Sequence, residues 1–114
     1  MCITFQIASH DVAHNQKTLE EYGVTHILNL ASDEIENLYE DEYNYCSLDI
    51  VDEPTTRLKD YYDEAFEFID EGRHRGYCLV HCDGSPGLSR STAICVAYLM
   101  TKQKLRYADA HTEV

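Results

Sequence analysis

The sequence predicts an α/β fold in which helices cover a central, largely parallel sheet of about four to five strands. Short apolar runs such as VTHILNL (24–30) and YCLVH (77–81) have the length and composition of buried strands. The segments between such runs carry apolar residues at helical spacing, and strands that alternate with helices are typical of a parallel sheet covered on both faces. We expect the 114 residues to form one domain, 1–114.

Two further strands complete the expected sheet. They are ITFQIA (3–8), at the start of the chain, and YNYCSLDIV (43–51). The carboxyl ends of parallel strands meet at one edge of the sheet, and this edge is where open α/β sheets bind ligands. Functional residues are therefore expected directly after the strands.

Three helices are expected between and after the strands. The first, over 15–23, begins at the candidate N-cap Asn15 and ends at a glycine. The second, over 57–71, has apolar residues at helical spacing and ends near Gly72. The third, over 90–103, is apolar almost all round, which predicts a buried helix.

The charge of the chain argues against two classes of partner. Asp and Glu outnumber Lys and Arg by 21 to 9, so the formal net charge is −12. Such a chain is not expected to bind nucleic acid or an anionic membrane surface. Nine acidic residues and no basic residue lie between Asp33 and Glu53, and we interpret this run as a solvated acidic face.

The cysteines and the N-terminus favour an intracellular protein. Five cysteines at irregular spacing, with no Asn-x-Ser/Thr sequon, are typical of a reducing compartment, here the cytoplasm and also the nucleus. The N-terminus lacks a basic region followed by an apolar stretch, so we expect no secretory signal. No apolar run approaches the ~20 residues of a membrane span.

The stretch VHCDGSPGLSRSTAIC (80–95) carries the most informative chemistry. Cys82 directly follows a predicted strand, and a helix begins near Arg90. A loop before a helix N-terminus gathers backbone N–H groups and positive dipole, which favour both an anion and a thiolate. An arginine there can hold two oxygens at once. The combination suggests attack of a thiolate on a phosphoryl group.

This stretch resembles the signature loop of the cysteine-dependent protein phosphatases, and its sequence is most similar to that of the small atypical dual-specificity phosphatases. TLEEYGVTHILNL, YDEAFEFID and STAICVAYLM resemble the same family in the same order, from about Ile3 to Val114. The resemblance implies hydrolysis of phosphotyrosine and phosphoserine or phosphothreonine on proteins through a phosphocysteine. It implies neither a metal nor an organic cofactor. The implied partners are phosphorylated proteins, signalling kinases among them.

The resemblance also assigns roles within the loop. Cys82 would be the nucleophile, Arg90 would clamp the phosphoryl oxygens, and Ser91 would hydrogen-bond the thiolate as it leaves. His81 would orient the loop and the cysteine from behind. The phosphate would lie in a cradle of backbone N–H groups from the loop residues Asp83, Gly84, Ser85, Gly87, Leu88 and Ser89.

A general acid must also protonate the leaving oxygen. The family takes it from an aspartate on a loop after an earlier strand, and Asp52 in LDIVDEPTT fits best, 30 positions before Cys82. Asp49 and Glu53 are the alternatives.

Two features depart from the family pattern. Seven residues separate Cys82 from Arg90, where the family has five, and one of them, Pro86, has no N–H to donate. The alternative function is therefore that of a pseudophosphatase, which binds phosphoproteins or partner proteins without turnover.

The second departure is at the end of the chain. The family domain continues with further helices beyond ADAHTEV, so we expect a C-terminally truncated domain.

Two patterns that suggest metal sites have simpler interpretations. HDVAH (10–14) imitates a zinc motif, but it has Asp for Glu and is expected in a short loop, so we interpret it as a surface pair of histidines. Cys78 lies four residues before Cys82 but within an apolar strand, which favours a core position. Cys2, Cys46 and Cys95 are interpreted as structural for the same reason.

Overall fold

The computed structural model describes residues 5–8, 10–32, 34–50, 57–82 and 89–102, and all structural statements concern these residues. The described residues include four strands: β1 (Phe5–Ala8), β2 (His26–Asn29), β3 (Asn44–Ser47) and β4 (Cys78–His81). The helices are α1 (His10–Ala13), α2 (Gln16–Tyr22), α3 (Tyr62–Arg75), which follows a 3₁₀ turn at Leu58–Tyr61, and α4 (Ser89–Lys102). None of the helices within the described ranges is long and apolar enough to cross a membrane.

The four strands form one parallel sheet in the order β1-β4-β2-β3. β4 lies between β1 and β2, with Leu79 opposite Gln6 on one side and opposite Ile27 on the other. The expected α/β class and the parallel sheet are confirmed. Because all strands run the same way, the segments after β2, β3 and β4 meet at one edge of the sheet.

Alternating side chains divide the core into two layers. Leu28 of β2 and Val80 of β4 pack into the larger cluster with residues of α3 and α4, Ile69 and Tyr98 among them. Their strand neighbours Ile27 and Leu79 point to the other face, where they pack with residues from the α1 and α2 side, Ala13 and Leu19. Burial on both faces explains why β2 and β4 read as continuous apolar runs.

The ends of α2 follow the sequence prediction. Asn15 Oδ1 accepts a hydrogen bond from Thr18 N at 3.2 Å, which is an N-cap bond. Gly23 adopts a left-handed conformation with φ 71°, and its N–H bonds to Glu20 O and Leu19 O. Both the predicted cap and the predicted stop are confirmed.

Two helix predictions need correction. α3 does not end near Gly72 but continues to Arg75. Gly72 lies within the helix, where it packs closely against β4: a Cβ there would lie 2.7 Å from Cys78 Cβ. The expected loop at HDVAH contains the one-turn helix α1. His14, just after α1, hydrogen-bonds through Nε2 to Glu36 O at 2.8 Å.

Candidate active site

Cys82 lies where the sequence places it, directly after the interior strand β4. Its side chain is fully buried, and its thiol is free of any disulfide. The chain bends at this residue, at the edge where the carboxyl ends of the strands meet. The fold thus presents a thiol at the position where such sheets bind ligands.

His81 supports the backbone of Cys82. Its ring is 1% exposed, and Nδ1 lies 3.0 Å from Cys82 O, so Nδ1–H donates to that carbonyl in the corresponding tautomer. On the main chain, Leu30 N donates to His81 O at 2.8 Å and ties the end of β4 to the end of β2. These contacts fix the end of β4, and the role of His81 in orienting the loop stays a prediction.

Arg90 joins three segments at the same edge. It is the second residue of α4, and only 4% of it is exposed. Nη1 donates to Ile50 O at 2.5 Å, and Nη2 donates to Glu34 Oε2 at 3.4 Å. Glu34 follows β2 and Ile50 follows β3, so one guanidinium connects the segments after two strands to the start of α4.

Ser91 is fully buried next to Arg90 in the first turn of α4. Its Oγ has no hydrogen-bond partner among the residues that the structure describes. Since buried hydroxyl groups are nearly always hydrogen-bonded, an unsatisfied one at this edge suits a group that bonds transiently to a ligand or a thiolate. The bond from Ser91 to the Cys82 thiolate stays a prediction.

The candidates for the general acid are only partly within the described ranges. Asp52 and Glu53 lie outside them, as do the loop residues 83–88. Asp49 is exposed, its main chain forms an antiparallel bridge with Ala31, and its carbonyl lies 3.4 Å from the donating Tyr61 hydroxyl. The bridge fixes Asp49 beside the segment after β2, and the choice between the three carboxylates stays a prediction.

Glu34 was missed as a site residue in the sequence. It belongs to the acidic run from Asp33 to Glu53, which the sequence pattern alone predicts to be a solvated face. In the structure its carboxylate forms an ion pair with the buried Arg90. Its position five residues after the last residue of β2 was the available signal, because that places it at the edge where ligands bind.

The other described cysteines have environments that keep the thiol protonated. Burial raises the pKa of Cys78 to about 12, and burial also raises the pKa of Cys95. Cys46 is half-buried, and desolvation followed by repulsion from Glu64 raises its pKa to about 11. These thiols are weak nucleophiles at neutral pH, as the interpretation of Cys78, Cys46 and Cys95 as structural predicts.

Similarity to curated proteins covers nearly the whole chain. A probable dual specificity protein phosphatase of Dictyostelium discoideum is 40% identical over 99 residues, which are 87% of this chain. Dual specificity protein phosphatase 19 of Mus musculus is 37% identical, and dual specificity protein phosphatase 1 of Arabidopsis thaliana is 41% identical; each match covers 91% of this chain. The chain spans only 24%, 46% and 52% of the length of these relatives.

Solved structures with the same fold lead to the same family. The human tyrosine phosphatase-like serine/threonine/tyrosine-interacting protein has a TM-score of 0.83 and 29% identity, over 97% of this chain and 77% of that one. DUSP15 has a TM-score of 0.81 and 26% identity, over 96% and 68%. The family model described as "Dual specificity phosphatase, catalytic domain" matches residues 5–114. The chain therefore belongs to the dual specificity phosphatase family.

Proposed function

We propose that this chain is a protein phosphatase that hydrolyses phosphotyrosine and phosphoserine or phosphothreonine through a phosphocysteine intermediate. One arrangement carries the proposal: Cys82 directly follows the interior strand β4, and the buried Arg90 is the second residue of α4, the helix after the connecting segment. A nucleophile and a fork of N–H donors at one helix N-terminus suit the transfer of a phosphoryl group. Membership of the dual specificity phosphatase family supports this reading.

The reaction divides into two displacements at phosphorus. The Cys82 thiolate attacks, an S–P bond forms while the bond to the substrate oxygen breaks, and Asp52 gives its proton to that oxygen. Water then attacks the phosphocysteine, Asp52 accepts the water proton, and the S–P bond breaks to restore the thiolate. Arg90 stabilises the charge on the phosphoryl oxygens in both steps, and the Ser91 hydroxyl donates to the departing thiolate.

The substrates we propose are phosphorylated proteins, with kinases among them. Two related Dictyostelium discoideum proteins, 35% and 34% identical to this chain, are named MAP kinase phosphatases with leucine-rich repeats. Those names support a phosphoprotein substrate of the same kind. The cytoplasm or nucleus would keep the Cys82 thiol reduced, which the mechanism requires.

The decisive experiment measures hydrolysis of p-nitrophenyl phosphate and of phosphotyrosine and phosphoserine peptides. Wild-type chain should release phosphate, and Cys82→Ser should not, because a serine hydroxyl is hardly ionised at neutral pH. Asp52→Asn should slow the peptides strongly and the activated aryl ester much less. Equal turnover by wild type and Cys82→Ser would refute the proposal.

A second candidate function rests on the spacing of seven residues between Cys82 and Arg90. A longer loop that contains Pro86 can bind a phosphorylated partner while holding the phosphoryl group about 1 Å from the geometry that turnover needs. Such a binding module would retain phosphopeptides without releasing phosphate. Wild-type chain that binds a phosphopeptide but shows no turnover above Cys82→Ser would favour it.

A further inference from the structure

Glu34 forms an ion pair with Arg90, the arginine that the proposed chemistry requires. The mechanism above gives Glu34 no part. Its Oε2 accepts from Arg90 Nη2, while Arg90 Nη1 donates to Ile50 O. A guanidinium group is planar, so acceptors on two of its nitrogens fix both its position and the orientation of its plane. The bonds to Ile50 O and Glu34 Oε2 use two of the five N–H donors of the group.

The loop that carries Glu34 is shaped by a buried side chain. Asn29, at the end of β2, is fully buried, and its Oδ1 accepts from Ala31 N at 2.9 Å. Its Nδ2 donates to Ile35 O at 2.7 Å and to Asn37 Oδ1 at 2.9 Å. These bonds hold the loop before and after Glu34. A buried amide whose hydrogen bonds all serve one loop makes that loop rigid.

The main chain adds a tight turn at the same place. Glu34 N and Ile35 N both donate to Ala31 O at 2.8 Å. The segment is also joined to the residues after β3, because Leu48 N donates to Asn29 O at 2.8 Å. Glu34 and Ile50, which both accept hydrogen bonds from Arg90, therefore lie on segments that are tied to each other.

The burial of the two partners is unequal. Arg90 is 4% exposed, whereas the side chain of Glu34 is 48% exposed. A buried guanidinium needs an opposite charge or good acceptors to offset its desolvation. The half-exposed Glu34 carries little of the core packing, so its carboxylate can be changed without opening a cavity.

We propose that Glu34 is a positioning residue for Arg90, which it holds in the orientation that grips the phosphoryl group. This proposal rests on the phosphatase function proposed above. Without an acceptor at position 34, the long arginine side chain would keep only part of its fixed orientation. The Arg90 side chain would then have to become ordered when the anion binds. This cost would reduce the affinity for the anion and the stabilisation of the transition state.

Two variants separate the acceptor from its charge. Glu34→Ala removes the acceptor, so kcat/KM for p-nitrophenyl phosphate should fall by about tenfold or more, on the scale of small misplacements in active sites. Glu34→Gln keeps an acceptor oxygen and should stay within about threefold of wild type. Glu36→Ala, an exposed carboxylate in the same loop, is the matched control and should leave kcat/KM unchanged. Circular dichroism melting curves establish that each variant is folded.

Tungstate binding measured by calorimetry gives a readout that does not depend on turnover. We expect Glu34→Ala to weaken tungstate binding by about fivefold or more, and Glu34→Gln to restore it. Unchanged or tighter binding by Glu34→Ala would overturn the proposal, since the carboxylate would then be neutral or a competitor of the anion. Equal losses in Glu34→Ala and Glu34→Gln would overturn it too, because charge and not positioning would be the cause. If wild type binds tungstate but shows no turnover above Cys82→Ser, the phosphatase function fails, and the binding series still decides the role of Glu34.

Discussion

The Tyr98 hydroxyl of α4 donates a 2.5 Å hydrogen bond to Asp70 Oδ1 of α3. The tyrosine is 1% exposed, and Arg73 Nη1 donates to the same hydroxyl at 3.2 Å. Asp70 also lies 3.5 Å from Lys102 Nζ. This cluster joins the two helices that cover one face of the sheet, and α4 is the helix that carries Arg90 at its other end.

Tyr98→Phe should lower the free energy of unfolding by about 1–2 kcal/mol, because the ring still fills its space while both hydrogen bonds are lost. Urea denaturation measures the difference. Tyr22→Phe, at a tyrosine that is 47% exposed, is the control and should change stability by less than about 0.5 kcal/mol. A loss no larger than that of the control would mean that the cluster adds nothing to stability.

The same tyrosine predicts a loss of stability at alkaline pH. Burial and the hydrogen bond to Asp70 raise the pKa of Tyr98 from 10.0 to about 12. The folded state holds the Tyr98 proton more tightly than the unfolded state does. The resulting contribution to the free energy of unfolding is therefore complete below pH 10 and disappears as the pH rises to about 12. Wild type should therefore lose stability more steeply than Tyr98→Phe across this window. Parallel curves for the two proteins would contradict the assignment.

Gly72→Ala should destabilise the fold, although alanine is the better helix former. The added Cβ would lie 2.7 Å from Cys78 Cβ and 3.1 Å from His26 Cβ, and neither atom can rotate away. We expect a net cost of about 1–3 kcal/mol from overpacking, after the gain in helix propensity of about 1 kcal/mol. Thermal unfolding tests this, with Glu67→Ala on the exposed side of α3 as the control. A stability equal to or above wild type would show that α3 moves away from the sheet at little cost.

Cys46 should become more reactive when the charge of Glu64 is removed. The Cys46 thiol donates to Glu64 Oε2 at 3.8 Å, and its pKa of about 11 keeps it protonated at neutral pH. Glu64→Gln removes the repulsion and lowers the pKa, so iodoacetamide should label Cys46 faster at pH 8–9. Peptide mapping by mass spectrometry follows each cysteine separately. Cys78, buried in β4, is the internal reference whose slow labelling should not change.

The strands and the ends of α2 could be predicted because their signals are local. Asn15 is a residue type preferred at helix N-caps, and Gly23 is the type preferred just after a helix ends. The continuous apolar run of β2 indicates burial on both faces of the sheet. The extension of α3 past Gly72 depends on a contact with a distant strand, which no local pattern reveals. The role of Glu34 depends on its distance from Arg90, 56 positions later, and in the sequence it is only one acid of a long run.

Ser91→Ala should separate stability from function. The Oγ of Ser91 is buried without a hydrogen-bond partner among the described residues, so removing it relieves an unsatisfied polar group at the cost of one small atom. The melting temperature should therefore stay equal to that of wild type or rise. Turnover should nevertheless fall, because in the proposed mechanism the departing Cys82 thiolate loses its donor in the second step. Rapid mixing with p-nitrophenyl phosphate should then show a burst of p-nitrophenol followed by a steady rate that is at least about tenfold slower than wild type, a loss of about 1.4 kcal/mol in transition-state stabilisation.

Cys82→Ser is the control for the Ser91→Ala kinetics. Because it forms no phosphocysteine, it should show neither the burst nor the steady rate. A slower first phase without a burst would place Ser91 in the attack and not in the release of the thiolate.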